Sequence, residues 1–374
     1  MFELQAADGA ARAGFVVTPR GRIRTPCFMP VGSRGAVRLL SADDLDHLGA
    51  EVVLANTYHL MLRPGAKVVE ALGGLHGFSG WQGHFLTDSG GYQVMSLPCS
   101  VDDKGVDFRS AYDGSSQRLT PEDAVRAQEA LGSDIAMVLD VCVALPAPRS
   151  AVEEAGERTL AWAGRSLAAR SRPDQLLFGI VQGGTEPDLR ERYAERLGQM
   201  GFDGYGIGGL SVGEAPAETL AALSRAIAPL PVARPRYLMG VGDPYLLVRA
   251  VGLGVDMFDC VLPTRLGRHG TALTAAGKVA VKAARYGADA GPVDPTCACP
   301  VCRRHSRGYL RHLFNVGEPS AGRLLSLHNL AWLLALAGRA REAVLAGTFG
   351  ELEAEVAARW APERAALRSA GPSG

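Results

Sequence analysis

Residues 254–268 read GVDMFDCVLPTRLGR. The run opens apolar with Val255, Met257 and Phe258 and sets a carboxylate, Asp259, near its end. Cys260, Val261 and Leu262 follow. Then come Pro263, expected to stop regular structure, and a basic loop with Arg265 and Arg268. Burying an unpaired carboxylate at a strand end is costly, so its presence points to chemistry. A turn-capping aspartate would explain the same residue without chemistry. The rest of the chain has to decide.

Working outward, seven further short apolar runs precede this one, at 27–31, 51–55, 84–87, 135–139, 177–181, 205–208 and 237–241. With 255–258 they make eight. Helical stretches lie between most of them. Ser41 with Asp44 is a capping-box start and Gly49 a stop. Thr120, Pro121 and two acids open a helix that ends at Gly132. Further helices are predicted over 151–169, 188–200, 217–228 and 244–253. Near-continuous apolar strands alternating with helices imply an α/β protein with a parallel sheet closed into a (β/α)8 TIM barrel. The alternative is an open, doubly wound sheet. Asn56, Asp88, Asp140, Gln182, Gly209, Met239 and Asp259 favour the barrel, since each follows a strand. A barrel gathers them at its C-terminal mouth, whereas an open sheet spreads them along an edge. Singly, Asp88 and Asp140 read as helix caps, Gly208-Gly209 as a turn, and Tyr92 and Met239 as core. Their shared end of the strands is what sets them apart.

The 374 residues are 47% hydrophobic and 21% charged, the balance of a soluble globular protein. No apolar run is long enough to span a bilayer. The N-terminus lacks the basic start and apolar core of a signal peptide. A cytoplasmic location is therefore expected, with the seven cysteines reduced or metal-bound. Net charge is zero, yet residues 261–323 carry ten Lys/Arg against three Asp/Glu. Such a local excess suits a phosphate backbone, although a solvated basic surface would look the same.

Two insertions stand out: polar, turn-rich 97–117, and 269–285 with strand-like alternation. Downstream, Cys297-x-Cys299-x2-Cys302 packs three thiols into six residues. In a reducing compartment this spacing indicates a closed structural metal site, with zinc the natural occupant of a thiolate-rich tetrahedron. His305, His312 and His328 are all candidates for the fourth ligand. Cys27, Cys99, Cys142 and Cys260 are scattered and read as packing residues. An Ala/Leu-rich helical stretch is expected over 324–366, and the final SAGPSG is expected to be disordered. The domain division is then 1–268 for a catalytic barrel with an N-terminal extension, 269–330 for the β insertion and zinc subdomain, and 331–374 for C-terminal helices completing the barrel.

Seven motifs, in order between about Thr25 and Leu330, carry a closer resemblance. They are ANTYHLMLRPG (55–65), TDSGGYQVMSL (87–97), IVQGG (180–184), GIGGLSVGE (206–214), YLMGVG (237–242), DMFDCVLPTRLGRHG (256–270) and CxCxxC with His328. In these the chain resembles the bacterial tRNA-guanine transglycosylases of the queuine tRNA-ribosyltransferase family. The resemblance implies exchange of guanine at the anticodon wobble position of G-U-N tRNAs (Asp, Asn, His, Tyr) for 7-aminomethyl-7-deazaguanine, in queuosine biosynthesis. It implies Asp259 as the nucleophile on ribose C1′ and a covalent aspartyl-ribosyl tRNA intermediate. Asp88 would be the general acid/base, with a pKa nearer working pH than a free aspartate's. Asp140 would accept the purine N1–H and amino group, and Gln182 and the Gly209 N–H would serve O6. Tyr92 and Met239 would sandwich the ring, and the Leu210 carbonyl would accept from the aminomethyl group. Arg265 and Arg268 would hold the anticodon. Cys297, Cys299, Cys302 and His328 would bind one structural Zn2+ per subunit of a homodimer.

Cys142 and Val212 match the bacterial pattern. Val141 and Val143 depart from it, standing where polar side chains are usual, which puts in question hydrogen bonds beside the pocket. Leu266 stands where a small polar residue is usual. The nearest rivals are a barrel that binds tRNA without catalysis, and a nucleoside hydrolase using the same carboxylates with water as acceptor. A barrel enzyme that acts on no nucleic acid is a third.

Overall fold

The computed structural model describes residues 1–362. Eight strands build the central sheet: β1 (Cys27–Pro30), β2 (Val52–Asn56), β3 (His84–Asp88), β4 (Ile135–Met137), β5 (Leu176–Val181), β6 (Gly204–Ile207), β7 (Arg236–Leu238) and β8 (Met257–Cys260). Each pairs in parallel with the next, and β8 pairs with β1. β1 meets β2 at a bridge between Val31 and Leu54, where the Gly32 N–H donates to the Leu54 carbonyl at 2.7 Å. The sheet is thus closed into a barrel and the open-sheet alternative falls. All five residues of β2 and all six of β5 are buried. Strands covered on both faces give unbroken apolar runs, which is why all eight could be read.

The helix ends also follow local chemistry. Ser41 and Asp44 form the capping box of Ala42–His47, and Thr120 with Asp123 that of Pro121–Leu131. Gly132 closes the latter at φ +69°, where glycine escapes the left-handed penalty. Two details near the mouth differ from expectation. β8 extends to Cys260, so Asp259 sits inside the strand rather than beyond it. Pro263 does not end regular structure. It lies in the first turn of a helix, Leu262–Arg268, where its missing N–H would have had no partner anyway.

Around the barrel lie three additions. An antiparallel sheet of Phe2–Asp8, Ala11–Thr18 and Gly21–Thr25 joins the N-terminal end. There Arg12 pairs with Asp256, at the approach to β8, and donates to the carbonyls of Val232 (2.6 Å) and Arg234 (3.1 Å) before β7. The 97–117 insertion forms a three-stranded antiparallel sheet, Cys99–Val101, Val106–Arg109 and Ser116–Leu119. The 269–285 stretch is a hairpin, Thr271–Thr274 with Gly277–Ala280. The helix Ser320–Ala346 then ties these parts together. Its Asn329 accepts from the Leu273 N–H (2.8 Å) and donates to the carbonyls of Pro263 (3.0 Å) and Thr271 (2.9 Å). Its Arg341 donates to the carbonyls of Gly14 (2.8 Å) and Thr25 (2.7 Å). Phe349–Trp360 is the last helix fully within the described residues. The final SAGPSG lies outside them.

Candidate active site and metal centre

Asp88 ends β3 beside Asn56, its register partner on β2. One carboxylate oxygen accepts from Asn56 Nδ2 (2.6 Å) and Gln93 Nε2 (3.2 Å). The other accepts the backbone N–H groups of Thr57 (3.1 Å) and Gly90 (3.2 Å). Burial, helped by the charge of Asp259, pushes this carboxyl up to about 7 against those bonds. Two acids therefore share the mouth.

Asp259 on β8 is buried. Tyr237 lies one strand over, level with Met257, and its hydroxyl donates to Asp259 Oδ1 at 2.6 Å. The Gly240 N–H donates to the same oxygen at 2.7 Å. Both protein hydrogen bonds fall on Oδ1, and Oδ2 has no such partner among the described residues. Burial raises this carboxyl above its ordinary value while the two bonds oppose the rise. Burial raises the Tyr237 phenol as well, so it stays a donor. A carboxylate gripped on one oxygen only is oriented to use the other.

Across the mouth, Asp140 follows β4 and is buried. Its Oδ2 accepts from Gln182 Nε2 at 2.6 Å, and burial pushes its carboxyl up to about 6. The strip Gly208-Gly209 lies against Gln182. Gly209 stands at φ +65°, a conformation that favours glycine, and a Cβ there would fall 2.5 Å from Gln182 Oε1. Met239 approaches from the next strand, with its sulfur 3.2 Å from where a Gly206 Cβ would sit. Tyr92, on the short helix Gly91–Met95 that follows Asp88, is 59% exposed. Leu210 has a buried side chain and Val212 an exposed one. The loop they share is pinned by Glu214, which accepts the N–H groups of Ser211 and Val212.

Val141 turns out not to line this pocket with a missing polar group. Its side chain belongs to an apolar cluster with Tyr58, Val94 and Trp162, and Val143 packs against the same cluster. The Val141 N–H is held by Thr159 Oγ1 at 3.0 Å.

The three cysteines and one histidine meet as well. One donor atom each from Cys297, Cys299, Cys302 and His328 lies within 4.8 Å of the others. His328 Nδ1 is 3.3 Å from Cys302 Sγ and 3.6 Å from Cys299 Sγ, while Nε2 lies 2.8 Å from the Leu273 carbonyl. A carbonyl on Nε2 requires the proton there, which leaves the Nδ1 lone pair facing the thiols. This donor set can hold a metal ion. His305 instead stacks on Tyr309, with ring centroids 5.1 Å apart, and His312 is exposed.

Arg265 and Arg268 share the helix after β8. Arg265 is exposed, and Arg268 is half-buried with Nε donating to the Thr264 carbonyl at 3.2 Å. Burial, and then the nearby charges of Arg38 and Arg265, lower the Arg268 pKa. The three cations thus lie near one another, and Arg265 is also close to Cys260 at the end of β8.

Sequence reasoning missed Tyr237, Gln93 and Arg190. Tyr237 reads as core in an apolar strand, and Arg190 reads as surface on the polar helix Pro187–Gly198. In the fold Arg190 is wholly buried and donates to the carbonyls of Gly184 (2.7 Å), Val181 (3.0 Å), Gly208 (2.8 Å) and Gly209 (3.2 Å).

Fold and site together define an α/β-barrel enzyme with acids and a polar slot at the C-terminal mouth and a Cys3His metal centre on its flank. A family model described as queuine tRNA-ribosyltransferase matches residues 8–362. Curated relatives named queuine tRNA-ribosyltransferase include one from Thermus thermophilus, 51% identical over 360 residues, covering 96% of this chain and 94% of the relative. One from Brucella suis is 49% identical over 364 residues, 96% of each chain. One from Moorella thermoacetica is 49% identical over 352 residues, 94% of each. The chain belongs to the queuine tRNA-ribosyltransferase family, whose members are pentosyl-transferring enzymes. No described helix is long and apolar enough to cross a membrane.

Proposed function

We propose that this enzyme exchanges guanine at the wobble position of G-U-N tRNAs (Asp, Asn, His, Tyr) for 7-aminomethyl-7-deazaguanine, by double displacement. The observation that carries the reading is Asp259, held on Oδ1 alone, beside a second acid, Asp88, whose carboxyl is pushed up to about 7. Oδ2 of Asp259 attacks ribose C1′, and the C1′–N9 pair leaves with guanine while Asp88 supplies a proton. The incoming base gives a proton back to Asp88, and its N9 attacks C1′. The ester bond then breaks and Asp259 recovers its electron pair. Two inversions restore the original configuration, and neither ATP nor phosphodiester cleavage is needed.

Asp140 accepts the purine N1–H and 2-amino group, a donor pair that suits an acceptor-only carboxylate. Gln182 spends one N–H on Asp140 and keeps the other for O6, beside the Gly209 N–H. Tyr92 and Met239 cover the two ring faces, the Leu210 carbonyl accepts from the aminomethyl group, and Arg265 and Arg268 hold the anticodon. Zn2+ fits the Cys3His donor set, where it has a structural role. Homodimer assembly through the metal region and a cytoplasmic location rest on the family likeness and the tRNA substrate, and light scattering tests the former. The division at 268 and 330 into barrel, metal subdomain and C-terminal helices belongs to the same reading.

The test is incorporation of labelled guanine into unmodified tRNA bearing a G-U-N anticodon, with and without 7-aminomethyl-7-deazaguanine. Incorporation suppressed by the deazaguanine is expected. Asp259→Asn is expected to abolish exchange while leaving tRNA binding nearly intact. Guanine release without replacement would instead indicate a hydrolase, and tRNA binding without exchange a non-catalytic barrel.

A further inference from the structure

Arg190 is a costly residue to keep where it is. It is 0% exposed and makes no salt bridge among the described residues. It stands in the first turns of the helix Pro187–Gly198, where a cation opposes the helix dipole. Burial pulls its pKa down to about 10, which still leaves it charged at neutral pH. A lone buried cation held only by carbonyls is poor value for stability, since apolar packing would fill the space without the desolvation cost.

The identity of those carbonyls suggests what the cation does. Val181 precedes Gln182, so the bond from Nη1 to the Val181 carbonyl fixes the peptide that carries Gln182. The Gly208 carbonyl belongs to the same peptide unit as the Gly209 N–H. In a trans peptide these two groups point in opposite directions. The Nη1 bond to the Gly208 carbonyl at 2.8 Å therefore holds the Gly209 N–H turned away from Arg190, in a strip that lies against Gln182. A positive charge on the carbonyl end also polarises the N–H end, because hydrogen bonds in a low-dielectric interior strengthen one another. The bond to Gly209 does the same for the next peptide.

We propose that Arg190 is a positioning residue that makes the base pocket selective for an oxygen at purine C6. Its charge reaches O6 through the Gly208-Gly209 peptide, and it favours the electron density that gathers on the departing base. This rests on the transglycosylase reading above.

Guanine and 6-thioguanine differ only at that atom and present the same N1–H and amino edge to Asp140. Each, unlabelled, is set to compete against labelled guanine for tRNA incorporation, and each KM is taken with its kcat. Wild type is expected to prefer guanine. Arg190→Met is expected to cut that preference by about tenfold, the loss expected for a hydrogen bond reinforced by charge, with the KM for guanine rising most. Equal weakening of both bases would mean a merely structural role and would overturn the proposal, as would an unchanged preference. Arg190→Lys keeps the charge but cannot span four carbonyls. It is expected to keep only part of the preference, with the KM for guanine raised more than that for 6-thioguanine, and it decides the matter if the Met variant does not fold. An unchanged guanine KM in the Lys variant overturns the proposal. Absence of guanine incorporation by wild type would take down the transglycosylase reading together with this one. Incorporation by wild type with an unaltered preference in the variants takes down the role of Arg190 alone.

Discussion

Tyr237→Phe removes one of two hydrogen bonds on Asp259 and little else, because the ring is fully buried and stays in place. That bond lowers the Asp259 carboxyl pKa, so its loss lets burial raise it further. In the proposed mechanism Asp259 must be ionised to attack, which fixes the sign: the acid limb of the exchange profile is expected to move to higher pH. A hydrogen bond to a charged group is worth roughly 1.5–3 kcal/mol, so the exchange rate is expected to fall about 10- to 100-fold. Single-turnover rates across pH 5 to 9, as approximate bounds for carboxyl titration, check both effects. A slower enzyme with an unmoved acid limb would mean that Tyr237 only packs. The carboxylates were legible in the sequence because acids at the ends of apolar strands violate the packing rule. Tyr237 and Arg190 were not, because each obeys the rule of its own element, and only the pairing of distant segments shows what their polar ends reach.

At the scale of elements, the helix Ser320–Ala346 explains why the metal centre matters to a barrel. His328 and Asn329 are adjacent on it. The first faces the thiols and the second holds the Thr271–Thr274 strand and the Pro263 carbonyl, four residues after Asp259. Cys302→Ala leaves three ligands, which is too few for a closed tetrahedral site. The variant is expected to lose its metal, measured by mass spectrometry of the purified protein. Its melting temperature is expected to fall while the barrel's circular dichroism persists. Unchanged metal content would refute the ligand assignment. The three thiols were legible from spacing alone, but the fourth ligand was not. Three histidines follow within reach of the chain, and the choice depends on where a long helix returns. Pro263 was misread for a related reason, since the same residue that ends one helix can open another.

At the scale of the molecule, charge and core are separated. Eight strands buried on both faces could be read from composition. The N-terminal sheet could not, because its first strand, FELQAAD, is largely exposed, and its anchor joins Arg12 to Asp256 across the length of the chain. The charge split carries a consequence for binding. Residues 261–323 hold an excess of seven positive charges on a chain with net charge zero, and Arg265 and Arg268 open that segment beside the mouth. In the proposed mechanism the base slot, by contrast, works through Asp140, Gln182 and backbone groups, and guanine is neutral. If about four phosphates are neutralised, tRNA affinity should fall with a log–log slope near −3, or roughly 50-fold between 50 and 200 mM salt. Guanine affinity should change less than about twofold over the same range, since no counterions are released. Arg265→Ala should make the tRNA slope shallower by about one and leave guanine affinity alone. Filter binding for tRNA and calorimetry for guanine measure the two terms separately. A tRNA affinity that ignores salt would remove the basic segment from the interface and leave the anticodon held by the mouth alone.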